Sequence, residues 1–379
     1  MIRLVIPPID DDGLAAVRGV LESGFLVQGS HVAAFEQAIA ELSGNRFGVA
    51  VSSGTAALHL ALLALDTRPG DLVIVPAYSF TATANVIELC GAQPVFVDVR
   101  PDTFNIDPDR LETALTRLMG QRETSKRVRA VLPVHTFGQM ADMRPIQELA
   151  ARHGLTVIED AACALGSKLD GKPAGAWGQL GCFSFHPRKA ITTGEGGLVV
   201  TNDMELARWL RALRNHGQDP DVPPGEFIRP GFNYRMTEFQ AALGQSQLSR
   251  LSALIERRRH SAATYDAMLV NSPITAPAPG PKGSYHVYQS YVVLLPPEVA
   301  PHRSTIMREL EGHGIQTSIG TYNMPMTMYF RTRYGYRSGD FPTAEQVSAR
   351  SVTLPLHHLL TEAEQESVTS VLIRAVVDA

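Results

Sequence analysis

Residues 182–197, CFSFHPRKAITTGEGG, hold the segment around which the rest of the chain can be organised. Lys189 follows an aromatic strand pattern and precedes a glycine-rich turn. Ser184 and His186 alternate with phenylalanines, so both polar side chains fall on one face of that strand. Most lysines are simply solvated. An enzyme that forms a Schiff base, however, needs a lysine on a rigid junction between strand and loop, and Lys189 occupies such a position.

A second polar segment, SSGTA at residues 52–56, lies where a predicted strand ends and a helix begins. The N-terminus of a helix offers unpaired N–H groups and the positive end of the helix dipole, so it suits a phosphate. Taken alone, the same pattern fits a helix that is merely capped by Ser53.

The third segment, VIEDAA at residues 157–162, ends an apolar strand with an acidic pair. Ligands of open α/β sheets bind in the crevice outside the carboxyl ends of the strands. A carboxylate at that place either caps a helix or faces a cationic ligand atom. A pyridinium nitrogen needs such a partner if its ring is to act as an electron sink.

Residues 47–200 alternate between short β-rich runs and helical stretches, which predicts an α/β fold with a large, mostly parallel sheet flanked by helices. We predict helices near 55–65, 79–90, 108–118 and 143–153, with Asp107 as an N-cap before Pro108. The predicted strands are Phe47–Val51, Asp71–Val75, Pro94–Val99, Ala130–Val134, Thr156–Glu159 and Leu198–Thr201.

Two domains are predicted. Residues 1–240 form the large α/β domain, with N-terminal helices at Asp11–Ser23 and from Ser30 to near Gly44. Residues 241–379 form a smaller α+β domain, entered through one long helix over Thr237–Val270 and a loop over Asn271–Gly283. In this second domain we predict a strand at Val287–Leu295 and helices near 302–313, near 342–351 and from about Thr361.

Composition narrows the class of protein. Of 379 residues, 44% are hydrophobic and 19% are charged, as in an ordinary globular protein, and the net charge of −4 does not favour nucleic acid or an anionic membrane as a partner. Three scattered cysteines without a CxxC pair predict neither a metal site nor a redox dithiol, and they suit the cytoplasm. The N-terminus does not resemble a signal peptide, and no stretch predicts a membrane span.

Beyond these patterns, the chain resembles the DegT/DnrJ/EryC1/StrS family of sugar aminotransferases, which are fold-type-I enzymes dependent on pyridoxal phosphate. The resemblance extends over nearly the whole chain. It rests on ordered segments such as SGFLVQG, SSGTAALHLAL, PAYSFTATANVI, PVFVDV, VLPVHTFGQMADM, VIEDAACALGS, FSFHPRKAITTGEGGLVVTND, GFNYRMTEFQAALGQ and FPTAEQVSARSVTLPLHHLLT.

The resemblance assigns roles to single residues. Lys189 matches the lysine that binds the cofactor as a Schiff base and moves the proton, and Asp160 matches the carboxylate that pairs with the pyridinium nitrogen. Phe80 matches the aromatic residue stacked on the cofactor ring. The phosphate-binding positions correspond to Gly54, Thr55 and Ser184.

Asn233, in GFNYR, resembles an asparagine that reaches the phosphate in the neighbouring subunit. The resemblance therefore implies a homodimer with shared active sites. It also implies glutamate or glutamine as amino donor, pyridoxamine phosphate as the intermediate form of the cofactor, and a keto sugar as acceptor, with a nucleotide-linked 4-keto-6-deoxy sugar as the preferred type.

Two positions depart from the family pattern. Cys163 stands where relatives often carry Gln or His near the ring hydroxyl, and we interpret it as a small buried hydrophobe. The tract Tyr322–Thr327 lacks the histidine that often borders the sugar site. Two alternatives stay open, namely an aminotransferase for cyclitols (keto-inositols) and a catalytically silent regulator that binds the cofactor.

Overall fold

A computed structural model describes residues 1–125, 127–219, 221, 222 and 225–379. Its strands are β1 (Phe47–Val51), β2 (Leu72–Pro76), β3 (Tyr78–Ser79), β4 (Gln93–Val97), β5 (Val128–Val131), β6 (Thr156–Asp160), β7 (Lys168–Leu169), β8 (Lys172–Pro173), β9 (Leu180–Ser184), β10 (Gly197–Thr201), β11 (Ser284–Tyr285), β12 (Tyr291–Leu294), β13 (Ser318–Ile319), β14 (Tyr322–Asn323) and β15 (Ser351–Leu354).

Helices cover both faces of the main sheet and much of the remaining chain. Short 3-10 helices span Thr136–Gly138, Pro297–His302 and Met324–Met326. The α-helices are α1 (Asp11–Ser23), α2 (Ser30–Leu42), α3 (Gly54–Ala64), α4 (Ala82–Leu89), α5 (Pro108–Met119), α6 (Arg122–Ser125), α7 (Met143–Arg152), α8 (Met204–Arg214), α9 (Glu238–Leu248), α10 (Leu251–Leu269), α11 (Arg303–Gly312), α12 (Met328–Tyr334), α13 (Pro342–Arg350) and α14 (Glu362–Val377).

The main sheet has the strand order β1-β10-β9-β6-β5-β2-β4. All of its strands run in one direction except β10, which is antiparallel to β1 and β9. The carboxyl ends of the parallel strands therefore lie at one edge of the sheet, where side chains distant in sequence meet. The predicted mixed, mostly parallel sheet is confirmed.

Alternation along the strands divides the core into two layers, because successive side chains point to opposite faces. In β2, Leu72 and Ile74 pack into the layer that contains Phe35 and Phe185, and Val73 and Val75 pack into the layer on the other face. Both faces are covered, as expected for parallel strands made of continuous apolar runs.

The C-terminal part adds a smaller antiparallel sheet, with strand order β12-β15-β13. This sheet and helices α10, α11 and α14 surround a third core that includes Tyr265, Tyr291, Leu310 and Leu372. The smaller α+β unit predicted for the C-terminal part is thus present. The proposed boundary at residue 240 stays a prediction.

The helix predicted over Thr237–Val270 is wrong as a single element, because the chain breaks between α9 and α10 at residues 249–250. Arg250 explains the break: its guanidinium donates to the Pro8 carbonyl over 3.1 Å and pairs with Asp10 over 2.9 Å. These contacts fix Arg250 against the N-terminal segment, and α9 then packs on α1 and α2 while α10 packs on α14.

Most other boundaries lie within a few residues of their predictions, and Asp107 caps α5 by accepting a hydrogen bond from the Asp109 N–H. The strand predicted at Val287–Leu295 is shorter, since β12 covers Tyr291–Leu294 alone. Within the described ranges, no helix combines the length and apolar character needed to cross a bilayer.

Candidate active site

The sheet register brings three distant segments to the carboxyl edge of the sheet. Gly197 of β10 lies opposite Val51 at the end of β1 and also opposite Ser184 at the end of β9. On the other side of β9, Asp160 pairs with Cys182. The ends of β1, β9 and β6 therefore lie side by side, and the residues that follow them surround one crevice.

Asp160 is buried at the end of β6, with both carboxylate oxygens engaged. Thr83 Oγ1 donates to Oδ2 over 2.8 Å, and the Ala162 N–H donates to Oδ1 over 3.2 Å. Burial raises the pKa of Asp160, whereas the Thr83 hydrogen bond and the nearby positive charge of Lys189 act in the opposite direction. A cation placed against this carboxylate would offset the desolvation that raises its pKa.

Lys189 lies in the turn after β9, half-buried, and its Nζ donates to Cys163 Sγ over 3.1 Å. The interpretation of Cys163 as only a small buried hydrophobe is therefore wrong. Its side chain is half-exposed and its thiol contacts the amine of the predicted nucleophile. The residue type alone gave no sign of this contact, because it depends on how the turn after β6 faces the turn after β9.

Gly54 and Ser184 touch at the N-terminus of α3. A Cβ added at Gly54 would lie 2.7 Å from the Ser184 Cβ, so only glycine permits this approach. Ser53 caps the helix by accepting from the Ala56 N–H over 3.0 Å. In the described structure the N–H groups of Gly54 and Thr55 have no protein acceptor, which leaves two donors and the Ser184 hydroxyl beside one another.

Phe80 precedes α4, whose first turn carries Thr83, and is 61% exposed. Its ring centroid lies 6.2 Å from that of Tyr322, because β14 pairs with β3 and places Tyr322 opposite Ser79. The tract without histidine, Tyr322–Thr327, thus begins beside Phe80. Thr83 itself was missed from the sequence, although its position three residues after Phe80 was a usable signal.

Asn233 is exposed, and its side chain has no hydrogen-bond partner in the described part of the chain. The next residue, Tyr234, accepts from the Ser52 N–H over 2.8 Å, so this segment runs along the end of β1. Asn233 is therefore close in the fold to the Gly54 region but does not contact the groups that surround Lys189. Arg235 donates to Asn215 Oδ1 over 2.7 Å.

His135, at the same edge of the sheet, is completely buried and bonded at both ring nitrogens. Nε2 lies 2.8 Å from Glu159 Oε2, and Nδ1 accepts from the Ala141 N–H over 3.2 Å. It is a core histidine with both ring nitrogens hydrogen-bonded. Among the described residues, no three His, Cys, Asp or Glu side chains come together as metal ligands would.

These groups fit pyridoxal phosphate. The two unbonded N–H groups of α3 and the Ser184 hydroxyl suit its phosphate, and the Gly54–Ser184 contact keeps that end free of side chains. Buried Asp160 suits a pyridinium nitrogen, and the Lys189 amine suits the aldehyde. Phe80 presents an aromatic ring at the edge of the same crevice.

Comparisons with known proteins agree with this arrangement. The sequence profile of the DegT/DnrJ/EryC1/StrS aminotransferase family matches residues 7–373. GDP-perosamine synthase of Caulobacter vibrioides is 39% identical over 352 residues, covering 92% of this chain and 91% of that protein. A pleiotropic regulatory protein of Geobacillus stearothermophilus is 38% identical over 354 residues, covering 92% and 90%. The PLP form of Spr1654 from Streptococcus pneumoniae is 27% identical, with a TM-score of 0.91 over 100% of this chain and 99% of that one.

Proposed function

This chain belongs to the DegT/DnrJ/EryC1/StrS aminotransferase family, and we propose that it moves an amino group from glutamate or glutamine to a nucleotide-linked 4-keto-6-deoxy sugar. A relative named GDP-perosamine synthase supports a nucleotide-linked acceptor. The cytoplasmic location predicted from the sparse cysteines is part of this proposal.

One observation carries the proposal: Lys189 and buried Asp160 meet at the sheet edge beside the unbonded N-terminus of α3. We assign the phosphate to the N–H groups of Gly54 and Thr55 and to the hydroxyl of Ser184. Phe80 would cover one face of the ring. The chain thus offers a phosphate-binding site, a negative charge for the ring nitrogen and a nucleophile within one crevice.

Each residue then has a chemical task. Lys189 Nζ would hold the cofactor covalently and, when free, would carry the proton from the donor α-carbon. The Asp160 carboxylate, held by Thr83 and the Ala162 N–H, would keep a proton on the ring nitrogen of the bound cofactor. Pyridoxal phosphate, when bound, supplies the electron sink that makes the α-proton removable. Lys189 repeats the proton transfer in reverse for the keto acceptor.

The active unit in this proposal is a homodimer in which Asn233 serves the phosphate of the partner's site. Its side chain is exposed and has no acceptor or donor within the described part of its own chain. The apolar residues Phe25 and Phe227 are 81% and 61% exposed, as residues of an interface are in an isolated subunit.

A regulatory protein is the second candidate, because a relative of 38% identity carries the name of a pleiotropic regulatory protein. A regulator would need to bind the cofactor without turnover. The lysine, carboxylate and hydroxyl described above favour catalysis, since a protein that only binds the cofactor has no need for a carboxylate that keeps the ring nitrogen protonated.

The test uses the purified enzyme in its pyridoxamine form. It is mixed with a panel of keto acceptors that contains nucleotide-linked 4-keto-6-deoxy sugars, free keto sugars and a keto-inositol. The acceptor that restores the absorption band of the pyridoxal form identifies the substrate class. A response to the keto-inositol alone contradicts the nucleotide-sugar proposal, and a bound cofactor that no donor and no acceptor converts identifies the regulator.

A further inference from the structure

A polar pocket adjoins the turn that carries Lys189 and takes no part in the roles assigned above. Its volume is about 340 Å³, counted with its opening to solvent. The pocket is bounded by the N-terminal segment near Val5, by the Lys189 turn and by the small antiparallel sheet. Its polar lining residues are Arg188, Gln289, Ser290, Ser318 and Thr353.

The pocket lining carries one positive charge, that of the exposed Arg188, and no negative charge. Within the described part of the chain the Arg188 guanidinium has neither an ion-pair partner nor a hydrogen bond, and the pocket lining contains no Asp or Glu. The Ser290 hydroxyl likewise has no partner among the described residues. A charged donor and a hydroxyl donor, both free, are thus available to a ligand with acceptor oxygens.

A buried cation next to the pocket adds to its positive charge. Arg258 is 3% exposed, and its Nη1 donates to the carbonyls of Gln289 and Leu356 over 3.1 and 3.3 Å. Both of these residues line the pocket. Burial lowers the pKa of Arg258 to about 10, so it stays a cation at neutral pH, with no carboxylate partner in the described structure. Buried charges are normally compensated, and an anionic ligand in the pocket would supply that compensation.

The position of the pocket relates it to the reaction. Arg188 immediately precedes Lys189, and its backbone is fixed because Gln289 Nε2 donates to the Arg188 carbonyl over 2.8 Å. On the opposite wall lies Gly320, two residues before Tyr322, whose ring faces Phe80. The pocket therefore lies between the turn of the nucleophile and the segment that adjoins the cofactor-covering aromatic residue.

We propose that this pocket binds a carboxylate of the amino donor through Arg188 and Ser290. The assignment rests on the proposed function. Two anions take part in the proposed reaction, the carboxylate of the amino donor and the diphosphate of the nucleotide sugar. The planar fork of one arginine matches a carboxylate. A single free guanidinium favours the singly charged carboxylate over the more highly charged diphosphate. The donor's amino group would then be directed toward Lys189 while its carboxylate stays in the pocket.

The test measures binding and a half-reaction in the pyridoxal form of the whole enzyme. Calorimetry gives the Kd of glutarate, a dicarboxylate that lacks the amino group, and the loss of the pyridoxal absorption band gives the single-turnover rate with L-glutamate. Arg188→Gln should raise the Kd of glutarate and the half-saturating concentration of L-glutamate about tenfold or more. The limiting rate should change much less, because uniform binding is lost.

The matched control is Arg257→Gln, which removes the same charge from an exposed position outside the pocket and should leave both values unchanged. Arg188→Lys, which keeps the charge without the fork, should weaken glutarate binding less than Arg188→Gln does. Unchanged glutarate affinity in Arg188→Gln overturns the proposal. So does a loss of affinity for GDP alone, which assigns the pocket to the diphosphate. If wild-type enzyme reacts with no amino donor, the proposed function fails, while glutarate affinity still decides the role of the pocket.

Discussion

Lys189 is the residue that we propose binds the cofactor covalently, and its amine donates to Cys163 Sγ over 3.1 Å. In Lys189→Ala, we expect borohydride reduction to leave no cofactor attached to the protein, and turnover to fall by about four orders of magnitude because the proton carrier is gone. Mass spectrometry of the reduced protein measures the attachment. Lys168→Ala, at an exposed position of β7, is the control and should retain it. Cofactor still bound covalently in Lys189→Ala would assign the nucleophile to another residue.

We propose that Asp160 acts through its charge, and an isosteric amide separates this chemical role from its structural one. Asp160→Asn keeps an acceptor oxygen for the Ala162 N–H, and its amide N–H can donate to the Thr83 hydroxyl, which accepts as well as donates. The melting temperature should therefore change little. The single-turnover rate with L-glutamate should fall by about 10³-fold, because the amide no longer stabilises the protonated ring nitrogen. A rate near that of wild type would mean that Asp160 only orders the turn after β6.

His286 is a buried base whose protonation opposes folding. Burial lowers its pKa to about 3, its ring stacks on Tyr288 at 3.9 Å, and Nδ1 accepts from the Tyr288 N–H. The unfolded chain takes up this proton near pH 6.5, whereas the folded chain takes it up near pH 3. Between these values the unfolded state binds more protons, so the free energy of unfolding falls as the pH is lowered.

His286→Asn keeps an acceptor but removes the titration. The pH dependence of its unfolding free energy between pH 4 and 6 should be smaller than in wild type by up to about 1.4 kcal/mol per pH unit. Urea unfolding at several pH values measures this slope. The exposed His302 serves as control, since His302→Asn should keep the wild-type slope. Equal slopes in wild type and His286→Asn would show that His286 is protonated in the folded state.

At the scale of elements, local sequence patterns predicted the helices and strands that local interactions determine. The start of α5 follows from Asp107 and Pro108, and the main strands follow from apolar runs between turn residues. The break between α9 and α10 did not follow, since residues 249–250 are neither Gly nor Pro. Arg250 is held there by Pro8 and Asp10, about 240 positions earlier in the chain, and no local pattern reports such contacts.

The residues of the candidate site also divide into those that the sequence predicts and those that it does not. Lys189, Asp160 and the SSGTA segment were predictable because each residue type stands at a strand end, where a parallel sheet exposes its crevice. The pairing of β14 with β3 was not predictable, since each strand has two residues. Cys163 and Arg188 acquire their surroundings only through the packing of turns, so their contacts appear in the structure alone.

One contact between elements is open to a direct test. Glu238, buried in the first turn of α9, accepts from the N–H groups of Gly29, His31 and Val32 and so caps α2 from another helix. In Glu238→Gln one acceptor oxygen becomes a donor facing these N–H groups. We expect a loss of about 1–3 kcal/mol in unfolding free energy by urea titration. Glu22→Gln, at an exposed position on α1, should cost less than about 0.5 kcal/mol. Equal stability of the two variants would show that α2 does not depend on this cap.

At the scale of the whole molecule, a residue expected to act in the site makes no contact with that site within its own subunit. Asn233 is exposed, and Phe25 and Phe227 present large apolar surfaces to solvent. The C-terminal part, by contrast, is closely joined to the main sheet, since Phe330, Phe341 and Val347 share one core layer with Val73. A second subunit, rather than a moving C-terminal part, is therefore the source we expect for the missing contacts.

Mixed dimers test whether Asn233 serves the partner's site. Lys189→Ala and Asn233→Ala place their defects in different halves of a composite site, so in a heterodimer one site carries both defects and the other carries neither. Refolding the two inactive proteins together should restore activity, up to about half of the wild-type value per heterodimer in a two-fold symmetric pair. The test requires that Asn233→Ala alone be strongly impaired, even with Gly54, Thr55 and Ser184 of the proposed phosphate site intact.

The control mixes Lys189→Ala with Asp160→Asn. Lys189 and Asp160 interact within one chain, so each site of that heterodimer keeps one defect and no activity should return. Recovery in the first mixture and none in the second is the pattern that only shared sites produce. If Asn233→Ala is inactive and its verified heterodimers with Lys189→Ala stay inactive as well, each site is built from a single chain. Asn233 then acts on its own subunit, where its segment runs along the end of β1.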